Sequence, residues 1–251
     1  MKIVNFYSFK GGVGRSLSVV NTAYQLSRRG QNVGLIDLDI EAGGLNHILN
    51  VTASADRDLL KLLAPENPDV TNLEGYVKEI RFKANEVPRV FLLPTVTDSK
   101  LLDQISWNEA TQRFIADDLI PEFARQYNLD YILIDSRSGI SKFAALALRL
   151  ASLEILICRL DSQNRYGIGR IVEVCNAAAK PFRIVVSACP DLKPTKKLQA
   201  FERGIKAKVD YILPYFRELY YDEFIVSHRN PTHPLAKGYF KLAEDIHNQL
   251  S

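Results

Sequence analysis

The chain has 251 residues, a hydrophobic fraction of 47%, a charged fraction of 24% and a formal net charge of +3. That length can bury one sizeable core and that composition is close to the globular average, which excludes disorder and fibrous repeats and predicts one domain over residues 1–251. The net charge is too small to argue for nucleic acid by itself.

In chain order, the first apolar run covers residues 3–9, alternates like a strand and runs straight into glycines. It leaves no room for a signal peptide, so no export is expected. Further strand-like runs lie at 33–37, 90–93, 131–135, 154–158, 183–188 and 211–213. Between most of them apolar residues recur at helical spacing, as in Leu17, Val20, Ala23, Tyr24 and Ser27, or Phe114, Leu119, Ile120, Phe123 and Tyr127. Strands alternating with helices predict an α/β fold with a doubly wound, mostly parallel sheet and helices on both faces. Residues 65–88 are polar, contain three prolines and interrupt the rhythm, so a surface excursion with a short helix over 73–82 is expected.

The longest apolar tract, residues 143–160, contains Arg149 and Glu154, each expensive at a bilayer centre. It is expected to be a buried helix followed by a buried strand. The last segment mixes Lys237 and Lys241 with Glu244 and Asp245, while Leu235, Tyr239, Leu242, Ala243, Ile246 and Leu250 form one apolar stripe. That is the pattern of a helix docked on the body, and membrane attachment is not expected. Cys158, Cys175 and Cys189 lie apart in apolar runs, so neither disulfides nor zinc are expected, and a cytoplasmic location fits. The four histidines, His47, His228, His233 and His247, show no metal spacing.

In such a sheet ligands bind beyond the carboxyl ends of the strands, where the strand order reverses. The segment FKGGVGRS follows a strand and precedes a helix, the context of a phosphate loop. Glycines let several amides point at one centre, and the helix adds its positive dipole end. Ser16 is placed to offer a hydroxyl to magnesium, and Arg15 supplies charge. A strict phosphate-loop pattern fails at Phe9, where its first glycine belongs, and at Arg15, where its lysine belongs. The second strand ends in Asp37 and Asp39, whose period-two spacing predicts carboxylates on one side. The run YILIDSRSGIS ends its strand in Asp135, which resembles a Walker B carboxylate holding magnesium through water.

Taken together, KGGVGR, DLDIEAGGL, DSRSGIS and the late PLAKGYFKLAEDI resemble the MinD/ParA ATPases, in a branch where arginine replaces the loop lysine. The resemblance spans nearly the whole chain and implies ATP and Mg2+ as ligands. It implies nucleotide contacts from Lys10, Gly11, Gly12, Val13, Gly14, Arg15, Ser16 and Leu17. It also implies an ATP-closed sandwich homodimer in which Lys10 reaches the partner's phosphates. Asp39 would position the attacking water, with Ser16, Asp37 and Asp135 serving the metal. Ser187 stands near the family's adenine-reading asparagine, and residues 214–217, beginning with Pro214, form the later base loop.

Arginine for lysine is not a conservative exchange, so slow hydrolysis is expected, with a binding module of little turnover as the alternative. A phosphotransferase on the same fold would need an acceptor pocket that the sequence does not display. Arg137 could meet the γ-phosphate or lie on the surface. The resemblance also implies control of a regulatory or cargo protein. The basic stretch of Lys193, Lys196, Lys197, Arg203, Lys206 and Lys208 reads either as a solvated helix face or as a patch for non-specific DNA.

Overall fold

Residues that alternate between two apolar faces become strands covered on both sides, and one further strand forms where a helix was expected. The computed structural model of the chain describes residues 1–41, 43–52, 57–64, 69–83, 86–87, 89–96, 98–105, 107–191 and 193–251. The strands are β1 (Lys2–Tyr7), β2 (Val33–Asp37), β3 (Lys78–Ile80), β4 (Val90–Leu93), β5 (Tyr131–Asp135), β6 (Leu153–Cys158), β7 (Phe182–Cys189) and β8 (Tyr211–Pro214). Among the described residues they form one sheet in the order β3-β4-β2-β5-β1-β6-β7-β8, parallel except for the antiparallel β3–β4 pair.

The helices are α1 (Arg15–Arg28), α2 (Leu45–Ile48), α3 (Leu59–Leu63), α4 (Ser99–Gln104), α5 (Glu109–Arg113), α6 (Ile120–Gln126), α7 (Lys142–Leu150), α8 (Ser162–Ala177), α9 (Thr195–Ile205), α10 (Val226–Arg229) and α11 (Pro234–Leu250). A π-helical stretch, Phe114–Leu119, joins α5 to α6. Period two sorts each strand between the layers. In β5, Tyr131 and Leu133 join the cluster built with α1 and α11, while Ile132 and Ile134 join the cluster built with α6 and α7. From β1 the chain passes to β2, β3 and β4 on one side and returns through β5 next to β1, and β6, β7 and β8 then follow in order on the other side, so the direction of winding changes at β1 and a crevice opens beyond its carboxyl end.

Three expectations change. The first strand ends at Tyr7, before Phe9, because Ser8 and its successors leave the sheet to begin a curled loop. The short helix expected over residues 73–82 does not form. Gly75 turns the chain at φ +84° and Lys78–Ile80 then pairs with β4, satisfying an edge that would otherwise be bare. Residues 65–68 of the same excursion lie outside the described residues. Finally, α7 is amphipathic, with Ala144, Leu146 and Ala147 buried and Arg149 exposed, while β6 behind it is buried throughout. The last helix docks as expected, through Leu235, Tyr239, Leu242 and Ile246. Among the described residues no helix is long and apolar enough to cross a membrane.

A polar pair sits inside the sheet. Asn5 on β1 is in register with Glu154 on β6, both wholly buried, and Asn5 Nδ2 donates to Glu154 Oε2 at 2.8 Å. The remaining oxygens, Asn5 Oδ1 and Glu154 Oε1, have no partner. Burial pushes the Glu154 carboxyl up to about 8, against the pull of the Asn5 hydrogen bond and the Lys180 charge. The folded chain therefore keeps a proton that the unfolded chain releases near its ordinary value of 4.5. That stability is complete below the unfolded value and is lost as pH rises through the folded one. Glu154→Gln keeps the shape and brings its own donor. Urea unfolding should find the variant within about 1 kcal/mol of the native chain at acid pH. Near pH 8.5 it should be the more stable by about 1–3 kcal/mol, and parallel pH profiles would contradict the assignment.

Candidate functional site

Between β1 and α1 the chain curls through residues 8–14, with Gly12 at φ +70° and Gly14 at φ +82°. Those are left-handed values that glycine adopts without strain. Three successive carbonyls of the curl are tied by side chains. Gly12 O accepts from Arg159 Nη2 at 2.6 Å, Val13 O from the Ser187 hydroxyl, and Gly14 O from the Ser18 hydroxyl at 2.8 Å. A carbonyl and the following N–H share one plane and point in opposite directions. Holding these carbonyls back therefore turns the N–H groups of Val13, Gly14 and Arg15 away from the anchors. The first amides of α1 lie at the same end, where Gly14 provides no capping side chain.

Phe9 and Lys10 fasten the front of the curl to α8. The Phe9 ring lies so close to Gly167 that a Cβ there would stand 1.9 Å from Phe9 Cγ, and Lys10 Nζ donates to Gln163 Oε1. Phe9 thus fills a notch that only glycine leaves open, which accounts for a bulky ring where a strict phosphate loop has glycine.

The acidic strand ends meet directly behind the loop. Asp37 and Asp135 are register partners on β2 and β5, both without exposure to solvent. Arg15, only 7% exposed, brings its guanidinium to Asp135. Its Nε donates to Asp135 Oδ1, its Nη2 to Asp39 Oδ2 at 2.9 Å and its Nη1 to Ser8 Oγ at 3.2 Å. Burial opposes the charge on Arg15, but Asp135 and then Asp39 outweigh it and hold the guanidinium above its ordinary value. Burial raises the Asp39 carboxyl, with Arg15 pulling the other way.

Asp37 does something different from what its spacing suggested. β2 stops at Asp37, so Asp39 lies in the following loop and not on the same strand face. Asp37 Oδ1 accepts the Asp39 N–H at 3.0 Å, and Oδ2 accepts the N–H groups of Gly44 at 3.0 Å and Leu45 at 3.2 Å. Burial, then Asp135, pushes its carboxyl up to about 8, while the Leu45 and Asp39 amides and Arg15 pull down. Asp37 thereby knots the loop that carries Asp39 and does not itself line the cleft.

Two adjoining cavities open over the loop. One, of about 460 Å³, is lined by Gly12, Arg15, Ser16, Asp39 and Arg137 among others. The other, of about 270 Å³, is walled by Leu17, Pro214, Tyr215, Phe216 and Tyr220, and the two share Gly12, Gly14, Leu17 and Glu223. A charged, loop-lined chamber thus continues into a flat-walled, largely apolar one. Ser187 borders the second, but its hydroxyl is directed at Val13 O, with Cys158 O at 3.2 Å, so it braces the loop instead of facing a base. Asp135 Oδ2 is buried beside the first chamber with no hydrogen-bond partner. An orphaned carboxylate oxygen at this strand end, with Ser16 lining the chamber, suits a hydrated magnesium ion.

Elsewhere, Arg137 pairs with Glu41. The six basic residues of the 193–208 stretch are all exposed, although Lys208 donates to Glu202 at 3.0 Å and Lys206 lies 3.8 Å from Glu173. Lys193, Lys196 and Lys197 border a third cavity of about 530 Å³ that also touches Arg159. His233 caps α11 and His247 hydrogen-bonds Tyr131. Among the described residues no three His, Cys, Asp or Glu side chains could hold a metal together. The three cysteines are buried and free. Sequence inspection missed Arg159 and Gly167. The available signal was that Arg159 directly follows β6, the strand beside β1, and that Gly167 stands inside the helix that comes next.

A family model described as an AAA domain matches residues 1–186. The flagellum site-determining protein YlxH of Helicobacter pylori is 28% identical over 160 residues, covering 64% of this chain and 49% of that protein. The septum site-determining protein MinD of Thermotoga maritima is 33% identical over 135 residues, covering 54% of this chain and 44% of that one. The chain thus spans about half the length of the curated relatives it matches. Among solved structures, the cell division ATPase MinD of Pyrococcus furiosus aligns at a TM-score of 0.78 and 21% identity over 99% of both chains. MinD of Pyrococcus horikoshii complexed with Mg-ADP aligns at 0.78 and 19% identity, over 100% of this chain and 97% of that one. A ParA family ATPase of Chlorobium tepidum aligns at 0.76 and 22% identity, over 97% and 98%. At these identities the structures establish a shared fold.

The fit of Phe9 against α8 is directly testable. Gly167→Ala should lower stability by about 1–3 kcal/mol through overpacking. In thermal melts this is a fall of roughly 2–4 °C per kcal/mol for a chain of this size. Combined with Phe9→Leu, the loss should shrink, and an undiminished loss would place the strain elsewhere.

Proposed function

Because the chain belongs to the MinD/ParA-type P-loop ATPase family, we propose that it is an ATP-binding switch that hydrolyses ATP slowly and associates as a dimer while ATP is bound. One observation carries this: the loop carbonyls of residues 12–14 are held back by Arg159, Ser187 and Ser18, beside a chamber bordered by Asp39 and Arg15. Amides at a helix N-terminus suit phosphate oxygens, and the adjoining chamber with Pro214, Tyr215 and Phe216 suits a flat base. With Ser187 occupied by the loop, base selection would fall to backbone and ring contacts.

The residues divide the work. Loop amides and Arg15 hold the phosphates, Ser16 and Asp135 hold magnesium, and Asp39 accepts a hydrogen bond from the attacking water. Magnesium, when bound, neutralises charge on the terminal phosphates. Water adds to the γ-phosphorus, the bond to the bridging oxygen breaks, and ADP and phosphate leave. Asp37 acts indirectly by fixing the loop that presents Asp39. Lys10 is exposed at the rim, where exchanging Gln163 for a partner's phosphate would close a sandwich dimer. Burial of Arg15 among carboxylates favours low turnover, and with it a role in presenting a surface to a regulatory or cargo protein. Exposed lysines around residues 193–208 offer a further contact for DNA phosphates. Such a switch would act in the cytoplasm, where ATP is supplied.

Phosphate release and molar mass should be measured with ATP, with ADP and without nucleotide, for the native chain and Asp39→Ala. The mass should double with ATP alone, and Asp39→Ala should keep binding while losing turnover by about 100-fold. Equal turnover would remove Asp39 from its role, and absence of nucleotide binding would end the proposal.

A further inference from the structure

The charged group expected to face phosphate faces the protein instead. All three hydrogen bonds recorded for the Arg15 guanidinium go to side chains, those of Asp135, Asp39 and Ser8, although Arg15 starts the helix at the floor of the phosphate chamber. Two of the acceptors are carboxylates that come from different strand ends, β5 and the loop after β2. A planar fork can span both at once, whereas an ammonium is a single point of charge.

We propose that Arg15 is a two-position latch: in the position seen here it bridges Asp39 and Asp135 and closes the metal end of the cleft, and on nucleotide binding it transfers to the phosphates. This deepens the ATP-binding reading and rests on it. The guanidinium neutralises the carboxylates that water and magnesium would use, so the cleft is inactive while the latch is closed. Triphosphate oxygens compete for the same donors with a larger negative charge. Departure of Arg15 leaves the wholly buried Asp135 without its counter-charge, with Asp37 alongside, and leaves Asp39 with only the charge of Arg137 near it. Transfer is therefore favourable when a divalent cation takes over the carboxylates. Arg15 thereby couples triphosphate and metal binding, each promoting the other equally. The orphaned Asp135 Oδ2 is the contact that Arg15 leaves unfilled even when closed.

Direct repulsion between carboxylates and phosphate would also make metal-free binding weak, and a double-mutant cycle separates the two. ATP affinity is measured in EDTA and in magnesium for the native chain, Asp39→Asn, Arg15→Gln and the double variant, with circular dichroism and melting curves confirming folding. With a latch, Asp39→Asn tightens metal-free ATP binding at least about tenfold in the Arg15 chain but less than about twofold beside Arg15→Gln. If the glutamine chain does not fold, Arg15→Lys takes its place, and the gain beside it should stay below about threefold. Equal gains in both backgrounds overturn the latch and leave the ATP site standing. Native affinity that is the same in EDTA as in magnesium also overturns it. Absence of ATP binding in every chain removes the site and the latch together.

Discussion

Two carboxyl groups, Asp37 and Asp135, end adjacent parallel strands side by side and beyond the reach of water, and the edge of the sheet is organised around that burden. Each is relieved differently. Asp37 is surrounded by backbone N–H groups from the loop it anchors, while Asp135 receives the Arg15 guanidinium on one oxygen and nothing on the other. Buried charge without compensation is among the most destabilising features a fold can contain. An arginine drawn inward from the first turn of α1 is therefore both a structural necessity and a constraint on the chemistry. The same cation cannot serve carboxylates and phosphates fully at once.

The loop in front shows the complementary arrangement. Its backbone is shaped by Arg159, Ser187 and Ser18, and anchored in front by Phe9 and Lys10 on α8. Few of these contacts are local. The loop is gripped by parts supplied from two neighbouring strands on one side of β1, with the end of β6 contributing Arg159 and β7 contributing Ser187. Preorganised amides of this kind bind anions without reorganisation. Deeper in the sheet, the Asn5–Glu154 pair adds a further buried ionisable group, far from the cleft in role though Asn5 is on the strand that leads into the loop.

Much of this was legible from residue patterns alone. Runs such as Val33–Asp37, Val90–Leu93 and Tyr131–Asp135 are apolar up to their last position, so their strand character and even their limits could be read directly. The segment after residue 73 misled, because Leu73, Val77 and Ile80 also fit a helical period, and only pairing with β4 decides for an extended chain. Asp37 and Asp39 misled for a related reason. Period two holds only while a strand continues, and β2 ends between them.

The sequence by itself determined the alternation of strands and helices, the glycines that must take positive φ, and the presence of acids at strand ends, since each of these follows from interactions within a few residues. Tertiary structure alone decided which way Arg15 points, which aspartate becomes a knot and which lines the cleft, and which distant residues hold the loop. Arg15 meets a carboxylate 120 positions away, Gly12 an arginine 147 away and Val13 a serine 174 away. Such meetings depend on strand order, with β1 between β5 and β6, and no local pattern encodes an order set by the packing of the whole sheet.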